Sequence, residues 1–156
     1  MIDALEWLYP WLKIGHILMA ILAIGFNFSY AILIRRATAE PQHLGHVLRT
    51  VKLLDDRFAN PAYGILFLLG LLMVFIGPYD ITDLWVWLAI LLFLIATVLG
   101  FAVYSPMLRR QIAAVEGPGP ESEEYRALTG SGARLGAVLG GIVVVIVALM
   151  VLKPTL

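Results

Sequence analysis

Residues 11–36 read WLKIGHILMAILAIGFNFSYAILIRR. From Trp11 to Ile34 the only charged residue is Lys13, and the run ends abruptly at Arg35-Arg36. A helix of that length, at about 1.5 Å per residue, measures roughly 36 Å, enough for a hydrocarbon core of about 30 Å. Three more runs of the same character follow: Pro61–Ile76, closed by Gly77-Pro78; Leu84–Tyr104; and Leu135–Leu152, closed by Lys153-Pro154. The chain as a whole is 61% hydrophobic and 14% charged over 156 residues. A soluble domain carries roughly 25% charged residues, and one of this size has too little interior for so much apolar surface. The expectation is an all-α membrane protein. It forms a single integral membrane domain over 1–156, an antiparallel four-transmembrane-helix bundle with spans of about 11–34, 61–76, 84–104 and 135–152.

Composition also removes whole classes of function. There is no cysteine, hence no disulfide, thiolate catalysis, iron–sulfur cluster or cysteine-based zinc site. Net charge is zero, so nothing favours a nucleic-acid partner, and the lipid bilayer is the first partner expected. The first run is too long for a secretory signal and follows Asp3 and Glu6 instead of a basic start, so it reads as a retained span.

Basic residues set the orientation. Arg35, Arg36, Arg49, Lys52, Arg57, Arg109, Arg110, Arg126 and Arg134 fall on one side, against Lys13 and Lys153 on the other. The expected placement is a cell membrane, with both long loops cytoplasmic and both termini extracytoplasmic. Trp7, Trp11, Trp85, Trp87 and Tyr79 then form an aromatic belt at the outer boundary.

The two long loops have content. Leu44, Val47, Leu48, Val51, Leu54 and Phe58 recur at helical spacing, which predicts a cytoplasmic amphipathic helix on the membrane surface between spans one and two. Asn60 reads as the cap of span two, with Pro61 in its first turn, and Asp83 as the cap of span three. Ser105-Pro106 is expected to kink span three before it runs on to about Val115.

No Asp or Glu lies within a span, which counts against a proton-coupled transporter. The unusual residues gather on span one. His16 lies near the outer end, with Lys13 one turn further out and Ala20, Ala23 and Asn27 continuing the same face inward. Lipid penalises an exposed imidazole or amide, so this face is expected to turn inward. His16 is then either a haem or metal ligand or a neutral histidine bonded to a neighbouring helix. Met19, Met73 and Met150 at similar depth could add thioethers for copper(I) or a second haem ligand, or simply fill apolar space. His43 and His46 read as a solvated face. Gly132, Gly136 and Gly140 form a ridge that can seat another span of the chain or a second copy in a homo-oligomer or larger complex.

Three stretches carry a resemblance: Trp11-Leu12-Lys13-Ile14-Gly15-His16, Arg57-Phe58-Ala59-Asn60-Pro61 and Val151-Leu152-Lys153-Pro154. With the order of the spans, they make the chain resemble a domain-of-unknown-function family of small predicted integral membrane proteins. More distantly it is similar to the four-helix membrane protoporphyrinogen oxidases and the membrane domain of copper-resistance proteins. The oxidase resemblance implies a haem or porphyrin site using His16 and Lys13. Span three lacks the lysine and histidine of the oxidase pattern, so a tetrapyrrole-metabolism oxidoreductase ranks below the other readings. The function expected is a small membrane protein binding haem b or, less readily, copper(I) through His16, with a non-enzymatic role ranked above an enzymatic one; the alternative is a non-catalytic accessory or scaffolding subunit.

Overall fold

The computed structural model describes residues 3–154. Residues 1–2 and 155–156, and with them the extreme ends of the chain, lie outside the described residues. A short 3-10 segment, Asp3–Leu8, leads into α1 (Tyr9–Thr38); α2 (Pro41–Leu54), α3 (Asn60–Ile76), α4 (Leu84–Leu99), α5 (Ser105–Glu116) and α6 (Glu123–Leu152) follow. Pro41 opens α2, where its missing N–H costs nothing, and Gly77 closes α3. Ser122 caps α6, its hydroxyl accepting from the Tyr125 amide at 3.2 Å, with Glu123 and Glu124 favourably placed in the first turn.

The expected break before Pro61 is continuous, and span three runs on through Ser105-Pro106 to Glu116. A π turn, Asp55–Ala59, joins α2 to α3, and a second, Gly100–Tyr104, joins α4 to α5. Each π turn ends two residues before a proline, Pro61 or Pro106. Proline offers no amide to the carbonyl four residues back, and its ring collides with that carbonyl; a widened turn just upstream relieves both conflicts. Asn60 is therefore not a helix cap. Its backbone is helical, and its side chain donates to Asp55 instead. Asp83 does sit at the cap position of α4, yet its carboxylate accepts from the Asp80 amide.

The described chain thus consists of four long rods, Leu5–Thr38, Pro41–Ile76, Leu84–Glu116 and Glu123–Leu152, each long and apolar enough to cross a membrane. At 30 residues or more they reach about 45 Å, well beyond the hydrocarbon core. The surplus length forms the packed part of the molecule. Tyr30, Ala37, Leu44, Leu48, Val51, Leu108, Ala114 and Tyr125 make one buried cluster at the Arg35-Arg36 end. The crossing segments are the opposite: Ile21, Phe28, Leu68, Phe75, Val98, Val144 and Val151 all point outward, as a lipid-facing surface requires. The sequence reading laid the apolar face of α2 on the membrane surface. Leu44, Leu48 and Val51 are buried in protein instead, because α5 and the start of α6 supply a partner face.

Between α1 and α3 the contacts pair Tyr9 with Gly77, His16 with Leu66 and Gly70, Phe26 with Phe58, and Asn27 with Tyr63. Ala23 lies among these ties and is fully buried, so only a small side chain fits there. Phe67 stacks on Phe93 at 5.2 Å, joining α3 to α4. At the packed end, buried Gln111 donates to the Leu128 carbonyl at 3.1 Å. A Cβ on Gly132 would stand 2.9 Å from that amide nitrogen. Gly132→Ala is therefore expected to displace Gln111 and cost about 1–3 kcal/mol of stability, the range for a buried donor left without its partner. An unchanged melting temperature in detergent would show that Gln111 does not tie these helices.

Candidate functional site

His16 faces α3, as its helical position demands. Its Nδ1 lies 2.9 Å from the Leu66 carbonyl oxygen, and because a carbonyl only accepts, the proton resides on Nδ1. Nε2 is then the lone-pair nitrogen. The ring passes close over Gly70, where a Cβ would come within 3.0 Å of the imidazole Cε1. Lower on the same face, Asn27 donates to the Ala23 carbonyl at 2.9 Å and to the Tyr63 hydroxyl at 3.0 Å. The structure therefore brings His16, Ala23 and Asn27 onto one helix interface, as expected from their spacing. Lys13, a turn outward, is exposed. His43 and His46 are exposed too, and among the described residues no three His, Cys, Asp or Glu side chains gather as a metal site.

At the end of the rods opposite Arg35-Arg36, Lys153 stands in the left-handed region at φ 45° and caps α6. That turn directs its ammonium to the Tyr79 hydroxyl and over two rings, 4.3 Å from the centroid of Tyr79 and 5.6 Å from that of Trp85. Tyr79 meets Trp85 edge-on at 4.9 Å. Trp85 is consequently buried and not part of a lipid-facing belt, whereas Trp7, Trp11 and Trp87 are exposed. The hydrogen bond from Lys153 holds the Tyr79 phenol below its ordinary value. Lys153→Met keeps the length of the side chain and removes the charge. It is expected to cost about 0.5–2 kcal/mol and to return Tyr79 to the ordinary phenol range in an ultraviolet titration. A tyrosinate titration identical to wild type would show that Lys153 does not hold Tyr79.

A third polar centre escaped the sequence reading. Asp55, in the first π turn, is buried, and its carboxylate accepts a long bond from Asn60 Nδ2 at 3.3 Å. Lys52, one turn before it and also buried, pairs with Asp56. The π turn that carries Asp55 packs against α1, which bears Tyr30, and against α3, which bears Tyr63, and Tyr104 ends the second π turn. Tyr30 is 1% exposed and its hydroxyl has no partner. A buried hydroxyl left unpaired costs about 1–3 kcal/mol, so this is an expensive arrangement. One signal could have found it: the stripe Leu44, Leu48, Val51 continues at helical spacing to Asp55, a carboxylate on a core-facing position.

The glycine ridge divides. Gly132 belongs to the contact with Gln111, whereas a Cβ on Gly136 or Gly140 would meet nothing within 4 Å in the chain.

Comparison with known proteins gives a match to a family model. The model of a family described as "Predicted integral membrane protein (DUF2269)" covers residues 10–154. No curated protein and no solved structure matches the chain.

Proposed function

The chain belongs to this family of predicted integral membrane proteins, and from that premise we propose that it crosses the cell membrane as an antiparallel four-span bundle with a cofactor site at His16. Both chain ends and the 77–83 turn lie outside; α2, α5 and the start of α6 lie in the cytoplasm. The nine basic residues gathered at the packed end, against Lys13 and Lys153 at the other, support this orientation.

The observation that carries the cofactor reading is the His16 tautomer. Ligating histidines commonly commit one ring N–H to a carbonyl or carboxylate, which fixes the ring and leaves the other nitrogen free to bind. His16 does this with Leu66. Among the described residues no three His, Cys, Asp or Glu side chains gather, so His16 would serve a group that takes a single protein nitrogen, such as haem b, with copper(I) the weaker alternative. Lys13, one turn before His16, would meet an anionic propionate. Haem b would supply one-electron redox chemistry at the outer side of the membrane.

The test is the visible spectrum of protein purified after expression with added haem precursor. A Soret band is expected, lost in His16→Ala and in His16→Asn with helix content unchanged. The asparagine retains hydrogen-bonding capacity, so loss of the band there isolates the imidazole nitrogen. Wild type that is colourless and metal-free ends the cofactor reading.

The second reading is a non-catalytic subunit of a membrane assembly, in which His16 simply ties α1 to α3. It is favoured by Gly136 and Gly140, which are open to a second helix. Gly136 and Gly140 are both exposed, and a Cβ at either meets nothing within 4 Å, so Gly136→Leu combined with Gly140→Leu probes an outward face. This reading expects the double variant to change migration in native detergent gels; mobility and melting temperature both identical to wild type would count against it.

A further inference from the structure

We propose that Asp55, with the phenols of Tyr30, Tyr63 and Tyr104, forms a proton-binding centre at the end of the crossing next to Arg35-Arg36. The inference is independent of the cofactor reading, since it uses neither His16 nor Lys13.

Three observations carry it. First, the carboxylate is buried yet lacks a contacting cation, because the Lys52 ammonium is spent on Asp56. Second, the Tyr30 hydroxyl is almost wholly buried and unpartnered, on the helix against which the Asp55 turn packs. A buried hydroxyl of that kind can donate to or accept from a proton-carrying water. Third, Asp55 lies in one π turn and Tyr104 ends the other, and such turns are frequent where a helix is shaped for a site.

The charged and titratable groups facing Asp55 are Lys52 and Asp56 from its own rod, Tyr30 from α1, Tyr63 from α3 and Tyr104 from the second π turn. None of the three phenols bonds to the carboxylate directly, so the proton reaches Asp55 from water. The step is balanced: a carboxylate and a hydronium ion become a carboxylic acid and water, with no electron transferred. As an acid, Asp55 can then donate where as a carboxylate it could only accept.

Desolvation pushes the Asp55 carboxyl above its usual range, opposed by Lys52 and by the Asn60 bond, and helped by Asp56. The sign for stability follows. A group whose folded pKa is raised binds its proton more tightly in the native state, so its contribution to stability is fully present at acidic pH. That stability declines as pH climbs from the ordinary carboxylate range through the raised native value.

The experiment uses full-length protein in lipid nanodiscs, with the protonated-carboxyl stretch followed by infrared difference spectroscopy during a pH titration. Expected is a band, absent in Asp55→Asn, whose midpoint lies above the ordinary carboxylate value of about 4. Tyr30→Phe, which retains the ring, is expected to shift both its frequency and its midpoint. Melting temperature should fall with rising pH in wild type and vary less in Asp55→Asn. A midpoint at or below the ordinary value, or a band indifferent to Tyr30→Phe, overturns the proposal. So does a wild-type melting temperature that climbs with sodium or potassium at constant pH and ionic strength, which would identify an alkali-ion site. If Asp55→Asn does not fold, the Tyr30→Phe titration decides alone.

Discussion

Leu48→Ala is expected to destabilise the protein by about 2–5 kcal/mol, among the largest losses available from one side chain. Leu48 is 0% exposed, at the heart of the cluster formed by Leu44, Val51, Leu108, Ala114 and Tyr125. Truncation removes apolar contact and leaves a cavity among helices anchored at both ends in long rods, so the gap closes poorly. The loss arises beyond the lipid-facing surface, where burial against water is the driving force. Leu53→Ala in the same helix, at 55% exposure, supplies the control and is expected to be nearly neutral. Unfolding in graded denaturing detergent measures both. Equal effects would mean that α2 lies on a surface and is not packed into protein.

Ala23→Leu acts by the opposite route. Ala23 is fully buried at the α1–α3 interface, with the His16–Leu66 bond on one side and the Asn27–Tyr63 bond on the other. Three extra carbon atoms force the rods apart. Overpacking of about 1–3 kcal/mol is joined by the loss of two interhelical hydrogen bonds worth about 0.5–1.5 kcal/mol each, for a total of roughly 2–6 kcal/mol. Ile21→Leu, on the outward face at 63% exposure, should change little. A melting temperature preserved in Ala23→Leu would contradict the close approach of α1 and α3.

Much of this organisation was legible in the sequence because it depends on long-range averages: four apolar runs, ended by Arg35-Arg36, Gly77-Pro78 and Lys153-Pro154, define four rods whatever the details. The inward face of span one was legible for a different reason, since His16 and Asn27 are costly anywhere else. What escaped depends on geometry that a 3.6-residue period does not contain. Asn60-Pro61 has the residues of a helix start, and only the widened turn before it lets α2 run into α3. That continuity carries Asp55 inward at the next position of an apolar stripe, so the most unusual carboxylate in the chain reads locally as a loop residue. Trp85 was hidden similarly. An aromatic residue at a boundary suits a lipid belt, and nothing local shows that Lys153 returns across the molecule to cover it. Gly136 and Gly140 remain a pattern whose partner, if a second chain, lies beyond any single sequence.

The four crossings, with the packed end in the cytoplasm, are the claim on which the remaining assignments of inside and outside depend. The chain contains no cysteine, so single-cysteine variants report without background. Ile81→Cys marks the turn between α3 and α4, and Glu121→Cys marks the turn between α5 and α6; both positions are exposed. Glu121 is preferred to Gly119, whose φ of 103° would strain any side chain. With a membrane-impermeant maleimide, the account predicts labelling of Ile81→Cys in intact cells and of Glu121→Cys only after permeabilisation. Labelling of Glu121→Cys in intact cells, with Ile81→Cys protected, would contradict it.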